Sequence, residues 1–216
     1  MSDALRITEI FKSIQGESTW AGLPCVFVRT ACCNLRCDWC DTAYAYDGGA
    51  RMSVGEILRR VRELGCNLVE ITGGEPLLQA STPALARRLL KGGHTVLVET
   101  NGSLPIEVLP EGAVRIMDLK CPDSGECDRN RYENIAQLKP CDEVKFVLAS
   151  RRDYEWAREQ LIAHRLDQKV KAVLLSVAFG RLEPSSVVEW MLADKLPARF
   201  QLQLHKLIWR PDAQGV

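Results

Sequence analysis

Three cysteines crowd into eight residues of the run ACCNLRCDWCDT, spaced Cys33-x3-Cys37-x2-Cys40 and followed at once by Asp41 and Thr42. Thiolates are soft ligands that select zinc, copper or iron–sulfur clusters. Structural zinc wants a fourth ligand at a matching spacing, and so do ordinary electron-transfer clusters. Three thiolates on one loop leave a four-iron cluster with one open iron, able to bind a substrate or cofactor. That is chemistry rather than scaffolding. The neighbouring Cys32 permits a second register, Cys32-x4-Cys37-x2-Cys40, which opens like a plant-type two-iron ferredoxin with Cys66 as fourth ligand. Such a protein would be a non-catalytic electron carrier. A structural zinc site is a further reading.

The elements that must position this loop alternate between short apolar runs and helical patterns. Strands are expected at Val26–Arg29, Leu68–Thr72, Thr95–Glu99, Val114–Leu119, Val144–Leu148, Lys171–Leu175 and Phe200–Leu204. Most are apolar on both faces, as buried parallel strands are. Between them, Ser53-Val54-Gly55-Glu56 reads as a capping box, and Leu58, Val61 and Leu64 form an apolar stripe that Gly65 stops. Further helices are expected at Thr82–Lys91, Arg152–His164 and Ser185–Ala193, with a short one near Tyr132–Leu138. Alternating β and α units imply a parallel sheet with right-handed crossovers. Six or seven such units fall short of the eight that close a barrel. The expected fold class is therefore α/β, an incomplete (open) parallel β/α barrel formed by residues 1–216 as a single domain. In such folds the C-terminal ends of the strands carry the site. Polar and glycine motifs do cluster there: Thr72–Pro76 (TGGEP), Glu99–Gly102 (ETNG), Asp118–Lys120, Ser176 and His205-Lys206.

The chain has 216 residues, 46% hydrophobic and 26% charged, enough for a sizeable core. Its formal net charge is zero, without the basic footprint of a nucleic-acid binder. The opening MSDALRITEIFK lacks the apolar core of a signal peptide, and no apolar run approaches the roughly 18 residues needed to span a bilayer. A cytoplasmic protein is expected, without membrane or nucleic-acid partners. Disulfides seldom persist in a reducing cytosol, so Cys25, Cys32, Cys66, Cys121, Cys127 and Cys141 are expected to be free thiols.

Glycines let a backbone approach a ligand and expose its N–H and C=O groups, and TGGEP places two of them after the strand that follows the cysteine loop. Arg29, at a strand end, presents a planar fork of donors suited to a carboxylate. With these, the cysteine spacing resembles that of the radical S-adenosylmethionine enzymes. The set IQGE, FVR, CNLRCDWCDT, ITGGEP and ETNG is similar to the 7-carboxy-7-deazaguanine synthase family within that superfamily, over Glu9 to Trp209.

The resemblance implies a lyase that converts 6-carboxy-5,6,7,8-tetrahydropterin to 7-carboxy-7-deazaguanine with release of ammonia, in queuosine and deazapurine biosynthesis. It implies a 4Fe-4S cluster on Cys33, Cys37 and Cys40, and S-adenosyl-L-methionine lined by Trp39, Cys40, Asp41, Gly74, Asp118, Leu119, Lys120, Ser176, Val177, Ala178 and Phe179. It implies a substrate pocket of Ile14, Gln15, Gly16, Arg29, Thr72, Glu99 and His205, and Mg2+ at Thr42. Read alone, Thr42 would simply cap the next segment. The family further implies a homodimer and a flavodoxin or ferredoxin as reductant. A neighbouring possibility is an activase that uses the same loop to generate a glycyl radical on a partner protein. One departure stands out: Cys32 occupies the position before the first cluster cysteine, where the family usually has glycine.

Overall fold

The computed structural model describes residues 3–216. Its centre is one nine-stranded sheet. The strands are β1 (Ala4–Ile14), β2 (Pro24–Thr30), β3 (Ala50–Ser53), β4 (Leu68–Gly73), β5 (Thr95–Thr100), β6 (Val114–Asp118), β7 (Glu143–Leu148), β8 (Ala172–Val177) and β9 (Arg199–Phe200). Their spatial order is β3-β1-β2-β4-β5-β6-β7-β8-β9. From β2 onward every neighbouring pair is parallel, whereas β1 pairs antiparallel with both β2 and β3. The sheet does not close on itself, so the architecture is an open, parallel-rich α/β barrel with an antiparallel extension at one edge.

That extension is the first difference from expectation. The sequence pattern places the first strand at Val26, yet the eleven-residue β1 precedes it. Charged Arg6, Glu9 and Lys12 interrupt its apolar residues and dilute the alternation that marks a half-buried strand. The opposite end differs too. Phe200–Leu204 reads as a strand, but β9 covers only Arg199–Phe200, and Leu204–Ile208 is a short helix, α6. His205 and Lys206 are therefore helical residues and not the end of a strand.

The parallel strands are linked by α1 (Val54–Leu64), α2 (Thr82–Lys91), α3 (Arg151–His164), α4 (Leu166–Lys169) and α5 (Pro184–Asp194). The start of α1 follows the sequence directly. Ser53 Oγ accepts from the Glu56 N–H at 3.2 Å, and Glu56 Oε2 accepts from the Ser53 N–H at 2.7 Å. Gly65 closes the helix in the left-handed conformation, with φ 61°. The buried face of α1 (Val54, Ile57, Val61) joins Leu85, Ala86 and Leu89 of α2 against Val26, Val28, Val69, Ile71, Val96 and Val98 of the sheet. A second cluster packs Tyr154, Ala157 and Leu161 of α3 against Val144, Phe146 and Leu148.

Side chains alternate across a strand. The residues between those just named therefore face the inside of the barrel. Cys25, Phe27, Leu68, Leu97 and Ile116 form a small apolar plug there. One step further toward the C-terminal ends, the same face carries Arg29, Glu70, Thr72, Glu99, Asp118 and Lys145. Register sets them side by side: Arg29 opposite Thr72, Asp118 opposite Lys145. Among the described residues no helix is long and apolar enough to cross a membrane.

Ser53→Ala removes one half of the reciprocal cap while leaving the cavity residues untouched. Urea unfolding is expected to show a loss of about 1 kcal/mol relative to wild type.

Candidate active site

The strand ends and the cysteine loop enclose one cavity of about 480 Å³. Cys33, Cys37 and Cys40 line it together with Trp39, Asp41, Thr42, Gly74, Asp118, Lys120, Val177, Ala178 and Phe179. The same cavity is lined by Ile14, Gln15, Gly16, Arg29, Thr72, Glu99 and His205. Two expected cofactor residues lie elsewhere. Leu119 is buried in the second core, because alternation turns it away from Asp118. Ser176 lines a separate pocket of about 200 Å³ beside β9.

The cysteine loop is held by backbone contacts from TGGEP. Gly73 adopts φ 137°, a conformation reserved for glycine. The Gly74 N–H donates to Thr30 O at 3.1 Å and the Glu75 N–H to Cys32 O at 2.8 Å. A Cβ on Gly74 would overlap the Cys32 carbonyl, so only glycine permits this approach. The Glu75 carboxylate then reaches the next strand, accepting from Thr100 Oγ1 at 2.8 Å and from the Asn101 N–H at 2.7 Å. Burial pushes Glu75 up to about 7, against the pull of these hydrogen bonds.

All nine cysteines are free thiols. Burial raises Cys33 and brings Cys37 to about 11, with Lys120 opposing the shift at both. Cys66 is absent from the cavity. It starts from the N-terminal side of β4, where its Sγ donates to Pro24 O at 3.0 Å, so the geometry does not offer it as a fourth ligand. Cys32 also lies outside the cavity lining and holds the left-handed conformation at φ 75°. Thr42 stands at the N-cap of a three-residue 3-10 turn, yet its hydroxyl makes no cap bond. Instead Oγ1 donates to Asp41 Oδ1 at 3.1 Å. Burial would raise Asp41, but Lys206, bonded to it at 2.7 Å, holds it well below the usual carboxylate range.

Deeper in, the inner face is densely charged. Lys145, 6% exposed, is ion-paired with Glu17 Oε2 at 3.1 Å and Asp118 Oδ1 at 3.5 Å, and hydrogen-bonded to Glu99. Burial would raise Glu99, yet Lys145 and the Thr72 hydroxyl bring it to about 2. Burial and the Glu99 charge push Glu70 the other way, well above the usual carboxylate range; Gln15 Nε2 donates to its Oε2. Lys120 pairs with Asp118 at 2.7 Å. Arg29 is also partnered: its Nε donates to Glu9 Oε1 at 2.7 Å, and the Tyr44 hydroxyl donates to the same oxygen at 2.8 Å. Gly16 lets His205 approach closely, since a Cβ there would overlap the imidazole.

Sequence reasoning missed Glu9, Glu17, Glu70, Asn101, Lys145 and Gln203, all of which line this cavity or pair with residues that do. Glu17 sat in the quoted IQGE, and Asn101 in ETNG. Lys145 carried a signal as well: a lone lysine in an otherwise apolar strand demands buried carboxylates.

Two expected outcomes follow from the loop. Cys32→Gly relieves a left-handed side chain and should raise unfolding stability by about 0.5–1 kcal/mol in chemical denaturation. Glu75 binds its proton more tightly folded than unfolded. Its contribution is therefore complete below its ordinary value of 4.5 and fades as pH rises toward 7. Unfolding titrations of Glu75→Gln should lack the fall in stability that wild type shows across that window.

Comparison with known proteins agrees with this geometry. Residues 27–118 match the model of the Radical SAM superfamily. The chain is 46% identical to the 7-carboxy-7-deazaguanine synthase of Koribacter versatilis, across 98% of this chain and 100% of that one. It is equally similar to that of Chlorobaculum tepidum, 46% identical across 98% and 97%. The crystal structure of QueE from Escherichia coli superposes with a TM-score of 0.72 at 22% identity, covering 94% of this chain and 95% of that one, which speaks to the fold. On its sequence and its architecture, the chain belongs to the 7-carboxy-7-deazaguanine synthase family of the radical S-adenosylmethionine superfamily.

Proposed function

We propose that this chain, acting as a single domain over residues 1–216, is a carbon–nitrogen lyase that converts 6-carboxy-5,6,7,8-tetrahydropterin to 7-carboxy-7-deazaguanine with release of ammonia. The observation that carries this reading is one cavity joining the thiol loop to the charged inner face, in a chain 46% identical over nearly its whole length to synthases of that name.

The donor set fits the group the family uses. Among the described residues no three His, Cys, Asp or Glu side chains are grouped as ligands of a single metal ion. A cluster asks for something else, one thiolate on each of three irons. Cys33, Cys37 and Cys40 supply three free thiols to one cavity. Beside them, Asp118 Oδ1 is buried and makes no hydrogen bond, facing the Lys145 ammonium in an ion pair at 3.5 Å. In this reading Cys33, Cys37 and Cys40 hold the 4Fe-4S cluster, while Trp39, Asp41, Gly74, Asp118, Lys120 and Val177–Phe179 hold S-adenosyl-L-methionine. When bound, the cluster and S-adenosyl-L-methionine supply a 5′-deoxyadenosyl radical that abstracts hydrogen from the substrate.

The protein's part is to bind, orient and shield. Arg29, already anchored on Glu9, presents its remaining N–H groups to substrate oxygens. Glu99, kept ionised by Lys145 and Thr72, is an acceptor for the N–H groups of a pterin ring. Glu70 keeps Gln15 at the same wall by accepting from its side-chain amide. Ile14, Gly16 and His205 close the side toward α6, and Pro211–Val216 lines the cavity mouth. Thr42 offers a hard oxygen suited to Mg2+, with the substrate carboxylate and waters completing the shell. We place the enzyme in the cytoplasm as a homodimer, reduced by a flavodoxin or ferredoxin, as the resemblance implies.

The test is anaerobic reconstitution followed by dithionite, S-adenosyl-L-methionine, Mg2+ and the carboxypterin, with products read by mass spectrometry. 7-Carboxy-7-deazaguanine and ammonia are expected; 5′-deoxyadenosine alone would overturn the substrate assignment. In the same assay Thr42→Ala should raise the Mg2+ concentration for half-maximal rate on the order of tenfold, about 1.4 kcal/mol.

A further inference from the structure

ETNG contributes Glu99 to the pocket, but its asparagine has no part in the function described so far. Asn101 follows β5 directly and is 7% exposed. Its side-chain amide is fixed from three directions. The carbonyl Oδ1 accepts from the Ser103 N–H at 3.0 Å and from Ser103 Oγ at 2.6 Å. Nδ2 donates to Asn34 Oδ1 at 3.1 Å, and Asn34 Nδ2 in turn donates to Ser103 Oγ at 2.8 Å. The backbone N–H is held by Glu75 Oε2 at 2.7 Å. With Oδ1 committed to Ser103, the amide cannot flip without losing both bonds. Nδ2 must then face Cys33, whose Sγ lies 3.8 Å away, within hydrogen-bond reach of sulfur. The Leu35 N–H donates to the same sulfur at 3.4 Å.

We propose that Asn101 is a positioning residue that donates a hydrogen bond to the cluster-bound thiolate of Cys33 and thereby raises the reduction potential of the cluster. The proposal rests on the reading of Cys33, Cys37 and Cys40 as cluster ligands. One-electron reduction by an external low-potential carrier adds negative charge to the cluster and its sulfurs. A fixed N–H dipole stabilises the reduced state more than the oxidised one, and hydrogen bonds to the sulfurs are an established control on cluster potential. The surrounding network matters because the dipole is aimed before the electron arrives.

The experiment is a mediated redox titration of the reconstituted enzyme without S-adenosyl-L-methionine, followed by the electron paramagnetic resonance signal of the reduced cluster. Asn101→Ala should shift the midpoint negative at unchanged iron content. Asn101→Asp keeps an acceptor for Ser103 but replaces the donor with a charge, so its shift should be larger in the same direction. Ser53→Ala, which weakens the fold outside the site, should not move the midpoint. Unshifted midpoints in both Asn101 variants, or an equal shift in Ser53→Ala, would overturn the proposal. Should the Asn101 variants fail to assemble a cluster, wild type labelled with nitrogen-15 in its asparagine side chains decides the matter. Weak coupling of a side-chain nitrogen to the reduced cluster that persists in Asn34→Asp, which keeps the acceptor for Asn101 Nδ2, supports the proposal, and its absence overturns it. A wild-type protein that holds no cluster at all would instead refute the ligand reading beneath.

Discussion

Everything in the site depends on one close backbone contact, where Gly73-Gly74-Glu75 leaves β4 against Thr30–Cys33 leaving β2. Two hydrogen bonds cross this junction, to Thr30 O and Cys32 O, and no side chain larger than hydrogen fits at Gly74. The cysteine loop has almost no regular structure of its own, so its placement is inherited from these bonds together with those of the Asp38 N–H to Ser124 O and the Arg36 N–H to Glu126 Oε1. Glu75 extends the same junction to β5 through Thr100 and Asn101. Three consecutive strand ends are thus tied together by main chain and one buried carboxyl, which is why the thiols and the inner-face acids share a single cavity.

The second constraint is electrostatic. Seating Glu17, Glu99 and Asp118 around Lys145 inside a sheet is costly unless the charges are paired and hydrogen-bonded. Here each partner is also held by a neighbour: Glu17 by Gln201 and Gln203, Glu99 by Thr72, Asp118 by Lys120. Glu70, buried beside Glu99, is instead pushed well above the usual carboxylate range. The result is a wall whose donors and acceptors are already oriented, a preorganised surface for a polar ring.

Much of this was legible in the chain itself. The capping box of α1 and the apolar strands β2 and β4 to β8 are local signals, and each fell where its pattern indicated, whereas the short β3 (Ala50–Ser53) had no such signal. What escaped was set by distant partners. β1 has the charges of a solvent-facing strand and becomes a strand by pairing on both sides. Lys145 hid in an apolar run because its partners come from three other segments. Leu119 and Ser176 show the cost of reading motifs as blocks. Alternation sends Leu119 into the core although both its neighbours line the cavity, and Ser176 serves a different pocket. Apolar spacing alone could not tell Leu204–Ile208 from a continuing strand, because short runs satisfy both periods.

An open barrel keeps a wide mouth at the expense of two free sheet margins, and unpaired margins are templates for cross-chain β-pairing. This chain ends its sheet with β3, four residues, and β9, two residues, each bearing an arginine. Both are short and charged, which discourages a like strand, but β3 covers only Ala4–Ile7 of β1 and β9 only Leu174 and Leu175 of β8. Beyond Ile7 the outer edge of β1 has no partner strand among the described residues, and there Glu9 and Lys12 supply the charges that blunt it against a like edge.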